Sequence, residues 1–346
     1  MLAWPVADTL PVRLPDEAKS AIGRLVGFDL WKGHKMHETI PLQSRPPMII
    51  SSNRRPCLLG IFVCFMSVTC AGFIPNASGK TPFTDRLGLQ LYSLRVQALK
   101  NMPAALDQAK AFGISNLEIA GTGSLSVEAF DREARKRGLR VVGDHVRYVL
   151  LQKDVKAAIA ASKAVGAKFI MTSLPPPRLA QIKDEKDAQE VVREFTAWGE
   201  ACRAEGIQFG YHTHGGEFVP LNRAGDTLLD ILVRDTRPDL MCLQMDVFWV
   251  FIAGQDPVKL LRKYSSRWKL MHLKDLQKGI PLGGEINAAG HKYSVAIGTG
   301  QIDWPAVLSA AEKIGIEHYF IEEESSAPLE NIPPSIEYLK KLSTRL

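Results

Sequence analysis

The residues with the clearest chemical potential are histidines and carboxylates that follow short apolar runs in the second half of the chain. They lie in residues 211–217 (YHTHGGE), 245–249 (MDVFW), 272–275 (HLKD) and 321–324 (IEEE). Each apolar run has the character of a buried strand, so four successive strands would deliver His, Asp and Glu to the points where loops begin. Carboxylates mixed with imidazoles at such points are typical of divalent-metal ligands. The sequence therefore predicts a metal site, and with it an enzyme.

Elements that could position these residues begin near residue 87. Apolar strand candidates occur at residues 87–91, 116–119, 139–142, 167–172, 208–212, 241–247, 269–272 and 318–322. Helical periods occupy the intervals between them, and five helices run into a glycine, which supplies a left-handed terminus: Gly113, Gly138, Gly166, Gly206 and Gly315. Eight strand–helix repeats over roughly 260 residues predict a closed (β/α)8 TIM barrel over residues 85–346. A doubly wound open sheet is the alternative, but residues 90–95 (QLYSLR) lack a glycine-rich phosphate turn.

Strand periodicity predicts which of the polar residues face into the barrel. Alternate residues of a strand point the same way, and catalytic groups of TIM barrels gather at the carboxyl ends of the strands. This parity predicts one inward-facing set: His212, His214, Asp246, His272, Lys274 and Glu322.

The composition argues against several classes of function. The formal charge is +6, but residues 1–84 carry nine Lys and Arg against five Asp and Glu, which leaves only +2 for the barrel. A near-neutral barrel argues against a nucleic-acid partner, including the DNA of an abasic-site endonuclease. The five cysteines form no CxxC pair, so neither a zinc knuckle nor a disulfide framework is expected.

The N-terminal region has a different character. An apolar run at residues 57–73 follows Arg54-Arg55 and precedes small and turn-forming residues, which is the order of a secretory signal peptide. We therefore predict that residues 48–79 are a signal peptide or membrane anchor, with a buried core helix as the alternative. Translation would then start at Met48, and residues 1–47 would be a non-native or disordered extension. The protein would be exported, to the periplasm or to a membrane anchor.

Five motifs together resemble a known family. Residues 88–95 (GLQLYSLR), 211–218 (YHTHGGEF), 246–249 (DVFW), 272–275 (HLKD) and 298–304 (GTGQIDW) resemble the xylose-isomerase-like TIM barrels known as sugar phosphate isomerases/epimerases. The resemblance spans about residues 85–346. It implies one divalent ion, Mn, Mg or Zn, held by Glu, Asp, His and Glu from strands five to eight. Carried onto this chain, the ligands are Asp246, His272, Glu322 and, for the first position, Glu217, with His212 or His214 as the alternative.

The chemistry that follows is removal of a proton next to a carbonyl, through an enediolate. His212, His214 and Glu322 are the candidates for moving that proton. Lys274 would stabilise the developing oxyanion, with Asp275 orienting it.

Substrate contacts are predicted from Glu118, His145 and Trp249. The substrate would be a small sugar or keto-sugar, and an unphosphorylated one if the protein is exported. The leading prediction is a metal-dependent isomerase or epimerase. The alternatives are a keto-glycoside lyase or sugar dehydratase on the same site, and a non-catalytic sugar-binding barrel. A homo-oligomer is left open.

Overall fold

Eight parallel strands close into a barrel, as the sequence predicts. The computed structural model describes residues 82–283 and 288–345. The barrel strands follow the chain around the circle, and the last pairs with the first. They are β1 (Leu87–Gln90), β2 (Asn116–Ile119), β3 (Arg140–His145), β4 (Phe169–Thr172), β5 (Gln208–His212), β6 (Cys242–Asp246), β7 (Trp268–Leu273) and β10 (His318–Ile321). The remaining pair, β8 (Asp275–Leu276) and β9 (Ser294–Val295), is a short antiparallel hairpin after β7.

The N-terminal extension and the signal or anchor segment, residues 1–47 and 48–79, lie outside the described residues. Those predictions therefore stay predictions. Within the described part of the chain, no helix combines the length and the apolar character needed to cross a membrane.

Helices surround the barrel and occupy the intervals between its strands, as the sequence predicts. They are Arg95–Lys100, Met102–Ala111, Val127–Lys136, Tyr148–Ala164, Pro176–Leu179, Glu185–Ala204, Leu228–Asp235, Val247–Ile252, Pro257–Lys263, Trp304–Ile314 and Pro328–Ser343. All five glycines predicted to end helices have positive φ angles, between 68° and 86°. The helix Pro328–Ser343 follows the last strand, and Pro333 and Pro334 interrupt its sequence pattern.

The barrel interior is layered by depth. Its lower part is an apolar cluster formed by Val142, Phe169, Met171, Cys242, Leu270 and Phe320. Gly210 makes this packing possible, since a Cβ atom there would lie only 2.4 Å from the Met171 methyl carbon. Two residues further along β5 and β6, the inward positions are His212 and Gln244, which pair in register. The polar side chains therefore form a separate layer nearer the carboxyl ends of the strands.

Candidate metal centre

Three side chains converge at the carboxyl ends of β5, β6 and β7. One ligand atom each from His212, Asp246 and His272 lies within 4.8 Å of the other two. Asp246 Oδ2 is 3.8 Å from His212 Nε2 and 3.9 Å from His272 Nδ1. The register of the sheet produces this arrangement, because Asp246 and His272 are paired residues of adjacent strands. Two imidazoles and one carboxylate around a common point are a donor set suited to a divalent cation.

The Asp246 carboxylate provides the test of whether a cation fits. Its Oδ1 accepts the Trp249 backbone N–H at 3.1 Å and so caps the helix Val247–Ile252. Its Oδ2 is buried and has no hydrogen-bond partner among the described residues. Burial, opposed by Lys274 and reinforced by Glu322, raises the pKa of Asp246 to about 7. An unpaired buried carboxylate oxygen is costly, and a cation between Oδ2 and the two imidazoles would remove that cost. These residues therefore fit a metal.

Glu322, directly after β10, brings a fourth possible donor next to His272. Its Oε2 lies 3.2 Å from His272 Nδ1 and 4.0 Å from Lys274 Nζ. Although burial opposes ionisation, the charges of His272 and Lys274 hold the pKa of Glu322 well below its usual range. The site therefore carries three converging side chains and a second carboxylate beside one of them, His272.

Lys274 is buried beside this group. Its ammonium pairs with Glu324, and its Nζ lies 4.8 Å and 5.0 Å from the ring centres of Phe248 and Trp249. The two rings and the Glu324 carboxylate hold the Lys274 side chain at the edge of the site. Its role in stabilising an oxyanion stays a prediction.

Asp275 was expected to orient Lys274, but in the structure its side chain binds backbone N–H groups instead. Its carboxylate accepts the backbone N–H groups of Leu276, Gly298 and Gly300 at 2.8, 2.8 and 3.1 Å. Asp275 therefore fastens the loop that precedes the helix Trp304–Ile314. A Cβ atom at Gly300 would lie 2.2 Å from Asp275 Oδ1, which explains a glycine at that position.

Glu217 lies apart from the convergence point. Its carboxylate accepts the backbone N–H groups of His214 and Gly215 at 2.9 and 3.2 Å and the Tyr211 hydroxyl at 3.3 Å. Burial raises the pKa of Glu217 to about 7. The predicted first ligand is thus engaged in holding the loop after β5. Of its two alternatives, His212 and His214, the structure brings His212 next to Asp246.

The predicted role of Glu118 also differs from what the structure shows. It was predicted to bind substrate, but its side chain is 0% exposed. Its Oε2 accepts Gln90 Nε2 at 2.6 Å and lies 2.5 Å from His272 Nε2, while its Oε1 accepts Gln244 Nε2 at 2.7 Å. Burial opposes the charge of Glu118, but His272 lowers its pKa. The carboxylate therefore lies beneath the site, with its oxygens turned toward protein groups.

Three further predicted residues surround the mouth of the barrel. The exposed His214 places its ring centre 4.7 Å from that of Trp249. The His145 ring lies 4.7 Å from the His212 ring. His145 Nε2 and Trp249 Nε1 are buried and lack hydrogen-bond partners within the described ranges. Their roles in substrate binding and proton transfer stay predictions, now with positions beside the convergence point.

Sequence reasoning missed Gln90 and Gln244 as members of the site. Gln244 could have been found, because it shares the inward face of β6 with Asp246. Its contact with His212, between Oε1 and Nδ1 at 2.8 Å, depends on the register of β5 against β6.

Comparison with known proteins identifies related barrels. The model of the family described as xylose isomerase-like TIM barrel matches residues 106–342. A sugar phosphate isomerase/epimerase from Parabacteroides distasonis superposes with a TM-score of 0.62 at 25% identity, over 74% of this chain and 97% of that protein. The IOLI protein, solved with a bound zinc atom, superposes with a TM-score of 0.57 at 15% identity, over 75% and 97% of the two chains, and so shares the fold.

Among curated proteins, an inosose dehydratase of Clostridium tetani is 24% identical over 163 residues. The alignment covers 45% of this chain and 53% of the relative. The chain thus spans about half the length of the curated relatives it first matches.

Proposed function

Because this chain belongs to the xylose isomerase-like TIM barrel family, we propose that it is a metal-dependent dehydratase acting on a polyhydroxylated ketone of the inosose class. The observation that carries this proposal is the convergence of His212, Asp246 and His272 around an unpaired Asp246 oxygen, with Glu322 beside His272. The relation to inosose dehydratases favours dehydration over the isomerisation that the sequence alone put first.

The proposed ligands are His212 Nε2, Asp246 Oδ2, His272 Nδ1 and Glu322 Oε2. A bound divalent ion would act as a Lewis acid on a substrate carbonyl and so acidify the neighbouring C–H group. The barrel interior beneath the site is filled by side chains, so substrate would approach from the mouth, where His145, His214 and Trp249 lie.

Proton movement is assigned to His214. It is exposed at the mouth and packed against Trp249, which leaves its imidazole accessible to a substrate C–H group. His212 and Glu322, the other candidates, face Asp246 and His272 instead. In dehydration, His214 would take the α-proton while the C–O bond to the β-hydroxyl breaks. Returning that proton to the departing hydroxyl releases water and leaves a conjugated enol-ketone, so the atoms balance.

Lys274 would stabilise negative charge on the substrate oxygen during this step. Its ammonium is held by Glu324 and flanked by two aromatic rings, which fixes its position before substrate arrives. Preorganised charge of this kind acts most strongly where water is excluded.

The second candidate is an isomerase or epimerase. It is favoured by the likeness to the Parabacteroides distasonis isomerase/epimerase over almost the whole of that protein. The same α-proton would then return to carbon, and no water would leave.

One experiment separates the two. Metal-loaded protein is incubated with inosose and with a panel of ketoses in deuterated water, and the products are followed by NMR and mass spectrometry. Dehydration gives a product that has lost one water and absorbs in the ultraviolet as a conjugated ketone. Deuterium at the α-carbon without loss of water would support the epimerase instead. Absence of both reactions from every substrate, with metal bound, would refute this function.

Export stays part of the proposal. It is supported by the order of basic, apolar and small residues in 48–79.

A further inference from the structure

A chain of buried hydrogen bonds connects the two imidazoles of the candidate metal centre through their far sides. His272 Nε2 contacts Glu118, Gln244 Nε2 donates to Glu118, and Gln244 Oε1 contacts His212 Nδ1, with distances from 2.5 to 2.8 Å. All four side chains are 2% exposed or less. Water is therefore excluded from the chain, and each proton position is decided by the neighbouring group.

Chemistry fixes the direction of every bond in this chain. Ionised Glu118 can only accept, so His272 carries a proton on Nε2 and Gln244 turns its NH2 group toward the carboxylate. The Gln244 oxygen then faces His212 and can only accept, so His212 carries its proton on Nδ1. The nitrogens that face Asp246 are His212 Nε2 and His272 Nδ1, which lie 3.8 and 3.9 Å from its Oδ2. His272 Nδ1 also lies 3.2 Å from Glu322 Oε2, and a metal bound here would replace the proton that a charged His272 carries on this nitrogen.

We propose that Glu118, acting through Gln244, is the positioning residue that sets the tautomers of both His212 and His272 for metal binding. The inference deepens the proposed function, because it assumes that these imidazoles are ligands. Gln90 completes the arrangement: its Nε2 donates to Glu118 at 2.6 Å, and its Oε1 accepts the Tyr92 backbone N–H at 3.1 Å. The Gln90 amide therefore holds Glu118 Oε2, while Gln244 holds Oε1.

The variant Glu118→Gln would disturb both arms of the chain. An amide has one acceptor and one donor group in place of two acceptors. If its oxygen stays toward His272, its NH2 group forces Gln244 to turn over, and His212 must move its proton to Nε2. If its oxygen faces Gln244, His272 loses its acceptor. In either orientation, one of the two imidazoles no longer has its proton fixed on the nitrogen that faces away from the metal.

The test measures proton positions and metal affinity, neither of which needs catalysis. Two-bond ¹H–¹⁵N NMR spectra are recorded on ¹⁵N-histidine-labelled protein with and without zinc. The His212 signals are assigned as those lost in His212→Ala. In both conditions they should show the Nδ1–H tautomer. Zinc titration by calorimetry should show affinity reduced about 10–100-fold in Glu118→Gln, the usual effect of losing a group that orients a metal ligand. The variant Gln244→Met should show a similar loss, and the double variant no more than the larger of the two.

The matched control is Asp144→Asn. Asp144 is a buried carboxylate on the neighbouring strand β3, but it accepts the Ser162 hydroxyl at 2.7 Å, outside the chain of bonds. Its zinc affinity should equal that of the wild type.

Three outcomes would overturn the inference. They are a His212 proton on Nε2 in the wild type, unchanged zinc affinity in Glu118→Gln, and an equal loss in Asp144→Asn. If Glu118→Gln does not fold, the wild-type NMR spectrum and the zinc affinity of Gln244→Met still test the inference. Wild-type protein with the predicted tautomer but no zinc binding would refute the metal-dependent function and leave the hydrogen-bond chain intact.

Discussion

Removing the Asp275 carboxylate should destabilise the loop that follows the β8–β9 hairpin. In Asp275→Ala, the backbone N–H groups of Leu276, Gly298 and Gly300 lose the acceptor that they share. A buried donor without a partner costs about 1–3 kcal/mol. If loop relaxation hydrates one of the three donors, the other two cost about 2–6 kcal/mol in unfolding free energy. That is a large part of the roughly 5–15 kcal/mol typical of a folded protein.

The assay is urea unfolding of both proteins followed by circular dichroism. The control is Asp303→Ala, which removes an exposed helix cap that accepts the Ala306 N–H at 3.1 Å and should cost only about 1 kcal/mol. Equal losses in the two variants would refute the role given to Asp275, because they would reduce it to one ordinary surface cap.

Three further predictions follow from particular residues. His212→Ala should abolish zinc binding in calorimetry while Glu217→Gln retains it, because Glu217 is engaged by backbone N–H groups; the reverse result would restore Glu217 as the ligand. Burial raises the pKa of Asp144 to about 6, so between pH about 4 and 6 the native carboxyl keeps a proton that the unfolded chain has released. The unfolding free energy should therefore fall as pH rises through this window, by up to about 3 kcal/mol; urea unfolding across it should show a shallower fall in Asp144→Asn, and identical slopes would contradict the buried carboxyl. Protein exported from its native host should begin near residues 71–79 in N-terminal sequencing, and exported protein that still carries residues 1–47 would contradict the predicted signal segment.

Much of the fold could be predicted from the sequence, because each unit of the barrel is specified locally. An apolar strand and a helix recur eight times in order, several helices end in a glycine with positive φ, and eight such units without a glycine-rich phosphate turn favour a closed barrel over an open sheet. The kink at Asp154 in the helix Tyr148–Ala164 is also specified locally, because the Asp154 side chain accepts the Ala157 N–H and so caps a second helical segment.

The candidate site was predictable only as far as strand parity extends. His212, Asp246 and His272 lie at or just before the ends of their strands, where alternation still decides direction. Past His212 the chain turns at Gly215, whose φ is 97°, so parity gave no guide to Glu217.

The sequence also does not show how deep in the barrel an inward-facing residue lies. Glu118 does face inward, as its strand position suggests. Whether an inward residue meets substrate or another side chain depends on the stagger of the strands around the barrel. That stagger places Glu118 opposite Gln90 and within reach of Gln244 and His272, which no single strand pattern reveals.

The most direct test of the central claim is the metal content of the purified protein. After dialysis against metal-free buffer and reloading with zinc or manganese, elemental analysis should give about one tightly bound ion per chain in the wild type. Asp246→Ala and His272→Ala should hold none, while Asp144→Asn holds as much as the wild type. Equal metal in all four proteins, or none in the wild type, would contradict a metal centre formed by His212, Asp246, His272 and Glu322.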